Sequence, residues 1–450
     1  MYKKLLLKAG VVFTLAIAVF ANHHFTAQAS KPVTSESVKI TPRISHPVLL
    51  TGEDKKAYIQ IVLEGFEPAD KSKKRPPVNI ALVLDRSGSM NGNKIEHAKQ
   101  AALLAVDRLA DDDIISIVVY DDSADVIVPA TKLSDRASIK SKIRSINIGG
   151  STALFAGTSK GANEVEKFLD KNKVNRVILL SDGQANVGPS SPSELGELGN
   201  ALVKKGISVT TLGLGTGYNE DLMVKLAQKS DGNHAFIENP EELASIFDKE
   251  FGDVLSVVAQ EVEIQIECVD GVKPIRLLGR EGEIYGQTTK VNLNQLYANQ
   301  SKEILLEVNT NKDLKVSELV TVKTVYRDMQ SGDSETQNNK IFVKYSNDKK
   351  DVEAKTNKIV MAEAIKQEVI IENERAIKLR DAGKIKEAQE RLYNNAMKLK
   401  EAAPKYGGGL DIYADEVEQE AKDIEDTKKW NVQRKGLSKK QYQYKNKQAY

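Results

Sequence analysis

The chain has a single cysteine, Cys268, among 450 residues. It forms no internal disulfide, and no cysteine sits near the N-terminal leader-like stretch to carry a lipid. A lone thiol on an alternating apolar–polar run reads as a small buried hydrophobe. Histidine is scarce as well. His23 and His24 fall in the leader-like stretch, and His46, His97 and His234 have no neighbour at zinc-ligand spacing. No His-Glu-x-x-His run exists, which removes that metalloprotease signature. A nucleophile-elbow serine hydrolase is not expected either. Beyond the N-terminus no segment approaches the roughly 20 apolar residues of a spanning helix. An excess of one charge is also missing: the formal net charge is +2, and without three N-terminal lysines 62 basic residues face 63 acidic ones. That balance argues against nucleic acid as a partner.

What is present comes in blocks. Lys3, Lys4 and Lys8 precede an apolar stretch from Ala9 to Ala21, and Ala27-Gln28-Ala29 makes a small-x-small site before Ser30. This layout reads as a secretory signal over 1–29 and predicts an extracytoplasmic protein: secreted, periplasmic or on the cell surface. An uncleaved anchor is the alternative, although the stretch is short for a span. At the other end, Thr427 to Tyr450 holds eight Lys or Arg and no Asp or Glu, interleaved with Trp430, Tyr442, Tyr444 and Tyr450. It reads as a disordered basic tail over 427–450, with an anionic envelope surface as the alternative resting place.

Between Pro76 and Gly252 apolar runs alternate with helical patterns, the signature of a βαβ succession. The strand candidates are Ile80–Leu84, Ile114–Tyr120, Asp125–Pro129, Val177–Leu180, Val209–Leu214 and His234–Ile237. Only Asp121 to Ala124 joins the second and third, too short for a crossover, so an antiparallel hairpin at one edge is predicted. Leu212-Gly213-Leu214-Gly215-Thr216-Gly217 reads as a strand-end turn rather than a dinucleotide loop, because it closes a late strand instead of opening the first βα turn. Asp111-Asp112-Asp113 and Asp121-Asp122 read as acidic loop ends. On both flanks the period changes to two. Val262, Ile264, Ile266 and Cys268 alternate with polar residues, as in strands with one buried face. The front piece, Val38 to Phe66, is too short for a sheet of its own, so it is expected to pair with the rear piece, Leu255 to Tyr345, around an inserted domain. Lys71-Ser72-Lys73-Lys74-Arg75-Pro76-Pro77 would be the entry linker. From Asp351 the pattern is helical: Ile359, Ala362, Ile365 and Val369 share a stripe, Gly383 fits a C′ position, and a return helix is expected to stop before Pro404. Gly407-Gly408-Gly409 then reads as a hinge before a weaker third helix.

The chemistry concentrates at strand ends. Asp85-Arg86-Ser87-Gly88-Ser89 follows the first apolar run, placing a carboxylate and two hydroxyls on one tight loop. Gly149-Gly150-Ser151-Thr152 adds a hydroxyl, and Ser181-Asp182-Gly183 adds a second carboxylate after another apolar run. All are hard oxygen donors suited to Mg²⁺, and loops at the carboxyl ends of parallel strands converge on one crevice. The alternative is a polar turn that caps the following helix.

Over roughly residues 77 to 250 these three motifs, in this order, resemble the von Willebrand factor A domain and its metal-ion-dependent adhesion site. The resemblance implies that Ser87, Ser89 and Thr152 bind a metal directly or nearly so, and that Asp85 and Asp182 do so directly or through water. It implies Mg²⁺, with Mn²⁺ or Ca²⁺ as alternatives, and a protein partner that presents a carboxylate. The whole layout is similar to bacterial extracytoplasmic proteins of this type, described as calcium-activated chloride channel homologues. The expected fold is α/β: a doubly wound, mainly parallel sheet over 77–252 inserted in a β-sandwich built from 30–76 and 253–348, followed by an α-helical hairpin region over 351–426. The expected function is metal-dependent protein binding or adhesion, not catalysis, since no general base stands beside the motifs. The alternative is a scaffold or assembly factor of an envelope complex with a structural metal.

Overall fold

The computed structural model describes residues 37–67, 74–427 and 429–447. The leader-like stretch 1–29 and Lys71-Ser72-Lys73 of the linker lie outside the described residues. The chain begins with β1 (Val38–Ile44), β2 (Val48–Leu50) and β3 (Lys55–Gly65). There follow β4 (Val78–Asp85), α1 (Asn93–Arg108), β5 (Ile114–Tyr120), β6 (Ala124–Lys132), α2 (Arg136–Arg144), α3 (Leu154–Glu166), β7 (Val174–Ser181), α4 (Pro192–Val203), β8 (Ile207–Leu214), α5 (Glu220–Lys229), β9 (His234–Ile237) and α6 (Leu243–Leu255). These strands form a six-stranded sheet in the order β6-β5-β4-β7-β8-β9. Every neighbouring pair is parallel except β5–β6, the antiparallel edge hairpin.

Every residue of β4, β7 and β8 is buried, because helices cover both faces of the sheet. On one face the strands pack against α1 through Ile95, Ala98, Ala102, Ala105 and Val106. On the other they meet Leu154, Ala162, Val165, Leu195 and Leu226. Helix α4 starts with a capping box in which Ser191 and Glu194 each satisfy the other's backbone N–H.

After the inserted domain come β10 (Val257–Cys268), β11 (Val272–Leu278), β12 (Glu283–Tyr285), β13 (Thr288–Tyr297), β14 (Ser301–Thr310), β15 (Glu318–Asp328), β16 (Ser334–Phe342) and β17 (Lys344–Ser346). One sheet runs β1-β3-β14-β11 and the other β12-β13-β10-β15-β16, so strands from before and after the α/β domain share a sheet. Ile40, Ile59, Ile61 and Leu63 from the front piece join Ile264, Ile266, Leu293, Ile304 and Val322 in one core. Cys268 lies in that core, and burial pushes its thiol up to about 12.

The remainder is helical: α7 (Lys349–Ala354), α8 (Lys358–Asp381), α9 (Ile385–Tyr406), α10 (Leu410–Asp423) and α11 (Trp430–Asn446). Helix α8 ends in a Schellman pair, Gly383 N–H to Arg380 O (3.0 Å) and Lys384 N–H to Leu379 O (2.9 Å), with Gly383 at φ +78°. Three expectations need correction. Ile359 is exposed, at 63%, and Val360 is buried in its stead against Tyr58, Leu278 and Leu305, because α8 packs on the sandwich as well as on α9. Helix α9 runs two residues past Pro404: the proline forfeits its own bond to the preceding turn, yet Gly407 N–H still reaches Ala403 O at 2.8 Å and closes the helix. The basic stretch after Thr427 is not a solvated tail: its described residues form α11, which lies across the α/β domain and the other helices. Arg434 binds Asp221 (2.7 Å) and Asp381 (2.8 Å), Lys440 binds Glu416 and Glu420 (both 2.7 Å), and Tyr442 donates to Gly232 O (2.5 Å).

Among the described residues no helix is long and apolar enough to cross a membrane.

Candidate metal centre

Asp85 is the last residue of β4 and Asp182 immediately follows β7, so two adjacent parallel strands deliver their carboxylates to the same edge of the sheet. Asp85 is fully buried. Its Oδ1 accepts the Ser87 N–H at 2.8 Å, and its Oδ2 accepts the Ser181 hydroxyl at 2.8 Å. Burial pushes the Asp85 carboxyl up to about 6 against the pull of those bonds, with the nearby Asp182 charge adding to the rise. Ser87 Oγ stands 3.1 Å from Ser89 Oγ, which donates to Asp182 Oδ1 at 2.6 Å.

Backbone bonds bring in the threonine loop. Gly88 N–H donates to Gly150 O (2.9 Å) and Gly149 N–H to Arg86 O (2.7 Å), tying the loop after β4 to the loop before α3. Thr152 and Asn186 then bond reciprocally, Thr152 N–H to Asn186 Oδ1 at 2.8 Å and Asn186 N–H to Thr152 O at 3.2 Å. The close approach of the three loops centres on Gly183. A Cβ there would lie 3.0 Å from Thr152 Oγ1 and 3.3 Å from Ser89 Oγ, so a side chain would enter the space those hydroxyls border. All five candidate residues, Asp85, Ser87, Ser89, Thr152 and Asp182, are thus brought together. Ser87, Thr152 and Asp182 are buried and Ser89 is exposed at the mouth. Two carboxylates and three hydroxyls bordering one small space are a donor set that fits a hard divalent cation.

Among the described residues no three His, Cys, Asp or Glu side chains gather into a group that could hold a metal, so the candidate centre depends on its hydroxyls as well as its two carboxylates. The other polar groups have local duties. Asp113 accepts the Val78 N–H (2.9 Å) and Ala110 N–H (2.6 Å) and pairs with Arg75. Asp121 pairs with Arg86 (2.9 Å), and Asp122 accepts the Ser151 N–H (2.9 Å). Burial, helped by Lys439 and Lys435, pushes His234 down to about 3. The spacing Gly-x-Ser-x-Gly does occur, at Gly157-Thr158-Ser159-Lys160-Gly161, but inside α3 rather than on a strand-to-helix turn, so no nucleophile elbow forms.

Two participants escape the motif reading. Ser181 directly precedes Asp182, and its hydroxyl orients Asp85. Lys94, in the first turn of α1, places its ammonium 2.5 Å from Asp182 Oδ2. Helical side chains tilt toward the N-terminus of their helix, a signal that could have pointed Lys94 at the loop it follows.

Residues 79–249 match the model of the von Willebrand factor type A domain, and the chain carries such a domain with its doubly wound sheet. The protein sll0103 of Synechocystis is 29% identical over 275 residues, covering 59% of this chain and 65% of that one. YfbK of Escherichia coli is 32% identical over 199 residues, 44% of this chain and 35% of that one, so this chain spans less than two thirds of either relative. A solved von Willebrand factor type A protein from Catenulispora acidiphila superposes with a TM-score of 0.68 over 83% of this chain and 89% of that one, at 17% identity. That likeness extends the shared fold well beyond the α/β domain.

Proposed function

We propose that the A domain binds a divalent cation, Mg²⁺ first among candidates, through Asp85, Ser87, Ser89, Thr152 and Asp182, and uses it to capture a carboxylate of a protein partner outside the cytoplasm. The observation that carries this reading is the convergence of three separate loops on the space beside Gly183, lined by hydroxyl and carboxylate oxygens. Bound there with a carboxylate held through water, such a cation keeps residual positive charge, since hydroxyl and water ligands do not neutralise it, and an incoming carboxylate answers that charge. Ser181 and the Ser87 N–H hold Asp85 in one orientation, and Ser89 steers Asp182. The extracytoplasmic placement rests on the basic-then-apolar start of the sequence.

Titration calorimetry with Mg²⁺ tests the site. Asp85→Ala or Asp182→Ala should abolish binding with circular dichroism unchanged, and undiminished binding in either variant would show the ligands to be misassigned. A pull-down from envelope extracts in Mg²⁺ and then in EDTA tests the partner. An interaction indifferent to EDTA favours the scaffold reading instead.

A further inference from the structure

Lys94 is an unusual neighbour for a cation site. Its Nζ lies 2.5 Å from Asp182 Oδ2 and 3.4 Å from the Ser89 carbonyl oxygen. The Asp182 side chain is wholly covered while that of Lys94 is 30% exposed, so the lysine stands between this carboxylate and solvent. The fold fixes it there. Lys94 is the second residue of α1, and its chain runs back toward the loop that carries Ser87 and Ser89. On the far side is Gly215, where even a Cβ would come within 3.7 Å of Lys94 Cε and Nζ. With Ser89 on Oδ1 and Lys94 on Oδ2, both Asp182 oxygens are engaged. A buried carboxylate with a charged partner at this distance is bound much more firmly than an exposed surface pair.

We propose that Lys94 is a tethered counter-ion of the metal centre: its ammonium neutralises Asp182, and a divalent cation binds by displacing it from that carboxylate. The inference deepens the cation reading and rests on it. Three consequences follow from charge alone. The ammonium offsets one of the two negative charges of Asp85 and Asp182, so it lowers affinity for any cation. It keeps Asp182 paired and ordered when the cation leaves. It also raises the threshold for weakly bound monovalent ions, which must break the same contact with half the charge.

The experiment compares the full chain with Lys94→Met, Lys94→Gln and Lys94→Arg by Mg²⁺ calorimetry and by thermal melting in EDTA. Lys94→Met and Lys94→Gln should bind Mg²⁺ roughly tenfold tighter, about the worth of one charge-assisted hydrogen bond that no longer has to be broken. In EDTA both should melt below the unsubstituted protein, and Mg²⁺ should raise their melting temperature by a larger increment. Lys94→Arg, which keeps the charge, should stay near the original affinity. The inference is overturned if the neutral variants bind equally or more weakly while the unsubstituted protein binds Mg²⁺, and that outcome leaves the cation reading standing. Binding by the neutral variants alone supports the displacement model in its strongest form. Silence from all four proteins overturns the cation reading and this inference together.

Discussion

Strand β7 carries charge at both ends and treats the two differently. Near its start, Arg176 is fully buried: its guanidinium binds Glu250 at 2.6 Å, donates to Gln295 and Tyr297 of β13, and lies over the Tyr297 ring at 5.5 Å. Thr210 supplies a further hydrogen bond to Glu250. Just past its end, Asp182 meets the partly exposed ammonium of Lys94 and the Ser89 hydroxyl. At the first end the guanidinium and the Glu250 carboxylate answer each other directly and side chains of β13 in the β-sandwich complete the contact, which makes a joint. At the second, Lys94 pairs with Asp182 while Asp85 is held by the Ser87 N–H and the Ser181 hydroxyl, which leaves charge for another cation to answer. Completeness of pairing, more than burial alone, separates the structural charges of this fold from those available for binding.

The comparison breaks most visibly at the joint. Arg176→Ala should cost about 3–5 kcal/mol in denaturant unfolding, because the buried Glu250 carboxylate loses its counter-charge. The double substitution Arg176→Met with Glu250→Leu should cost clearly less, and equal losses would mean that packing rather than charge holds the joint. A smaller effect comes from pH. Burial, followed by the Glu250 charge, pushes Asp253 up to about 7. The folded-state value lies above the unfolded one, so the native state takes the proton more readily. The contribution of Asp253 to stability should therefore grow as pH falls from 8 through 7 toward 4, by an amount on the order of 2 kcal/mol, read as the difference between the pH profiles of the unsubstituted protein and Asp253→Asn. Asp253→Asn should flatten this slope, and an unchanged slope would place the titrating group elsewhere. The smallest stability change belongs to the open end. Asp85→Ala in EDTA should shift the unfolding free energy by less than about 1 kcal/mol, since relief of a buried carboxylate offsets two lost hydrogen bonds. A loss as large as that of Arg176→Ala would erase the distinction between the two ends.

Much of this was legible in the sequence because it is local. The central strands of the A domain carry apolar runs such as Ile80–Leu84 and Val177–Leu180, and the short link from Asp121 to Ala124 dictates the edge hairpin. The five candidate ligands sit in three contiguous motifs, so their meeting needs only the rule that parallel strands end on one side. What was not legible depends on distant partners. Helix α11 looks like a solvated basic tail because its counter-charges lie far upstream: Lys435 is buried against Glu220 and the Tyr218 carbonyl, more than 200 residues earlier. Lys94 likewise reads as an ordinary helix-surface lysine until the loop after β7 is in place. The exposure of Ile359 follows from a second packing surface on α8, which one hydrophobic stripe does not reveal.

The pairing of β3 with β14 also imposes an order in time. Residues Lys55 to Glu64 bond, position by position, with Thr310 back to Ser301, so β3 waits through the synthesis of nearly 240 further residues before its neighbour exists. Meanwhile the whole A domain emerges, with its own core. Once folded, it gathers the chain between β3 and β10 into a short spacer and lowers the loop-closure entropy that opposes the sandwich, by about 1 kcal/mol. The inserted domain thus serves as an assembly jig for the domain that surrounds it, and sequence changes that slow its folding will delay a sheet to which none of its residues belongs.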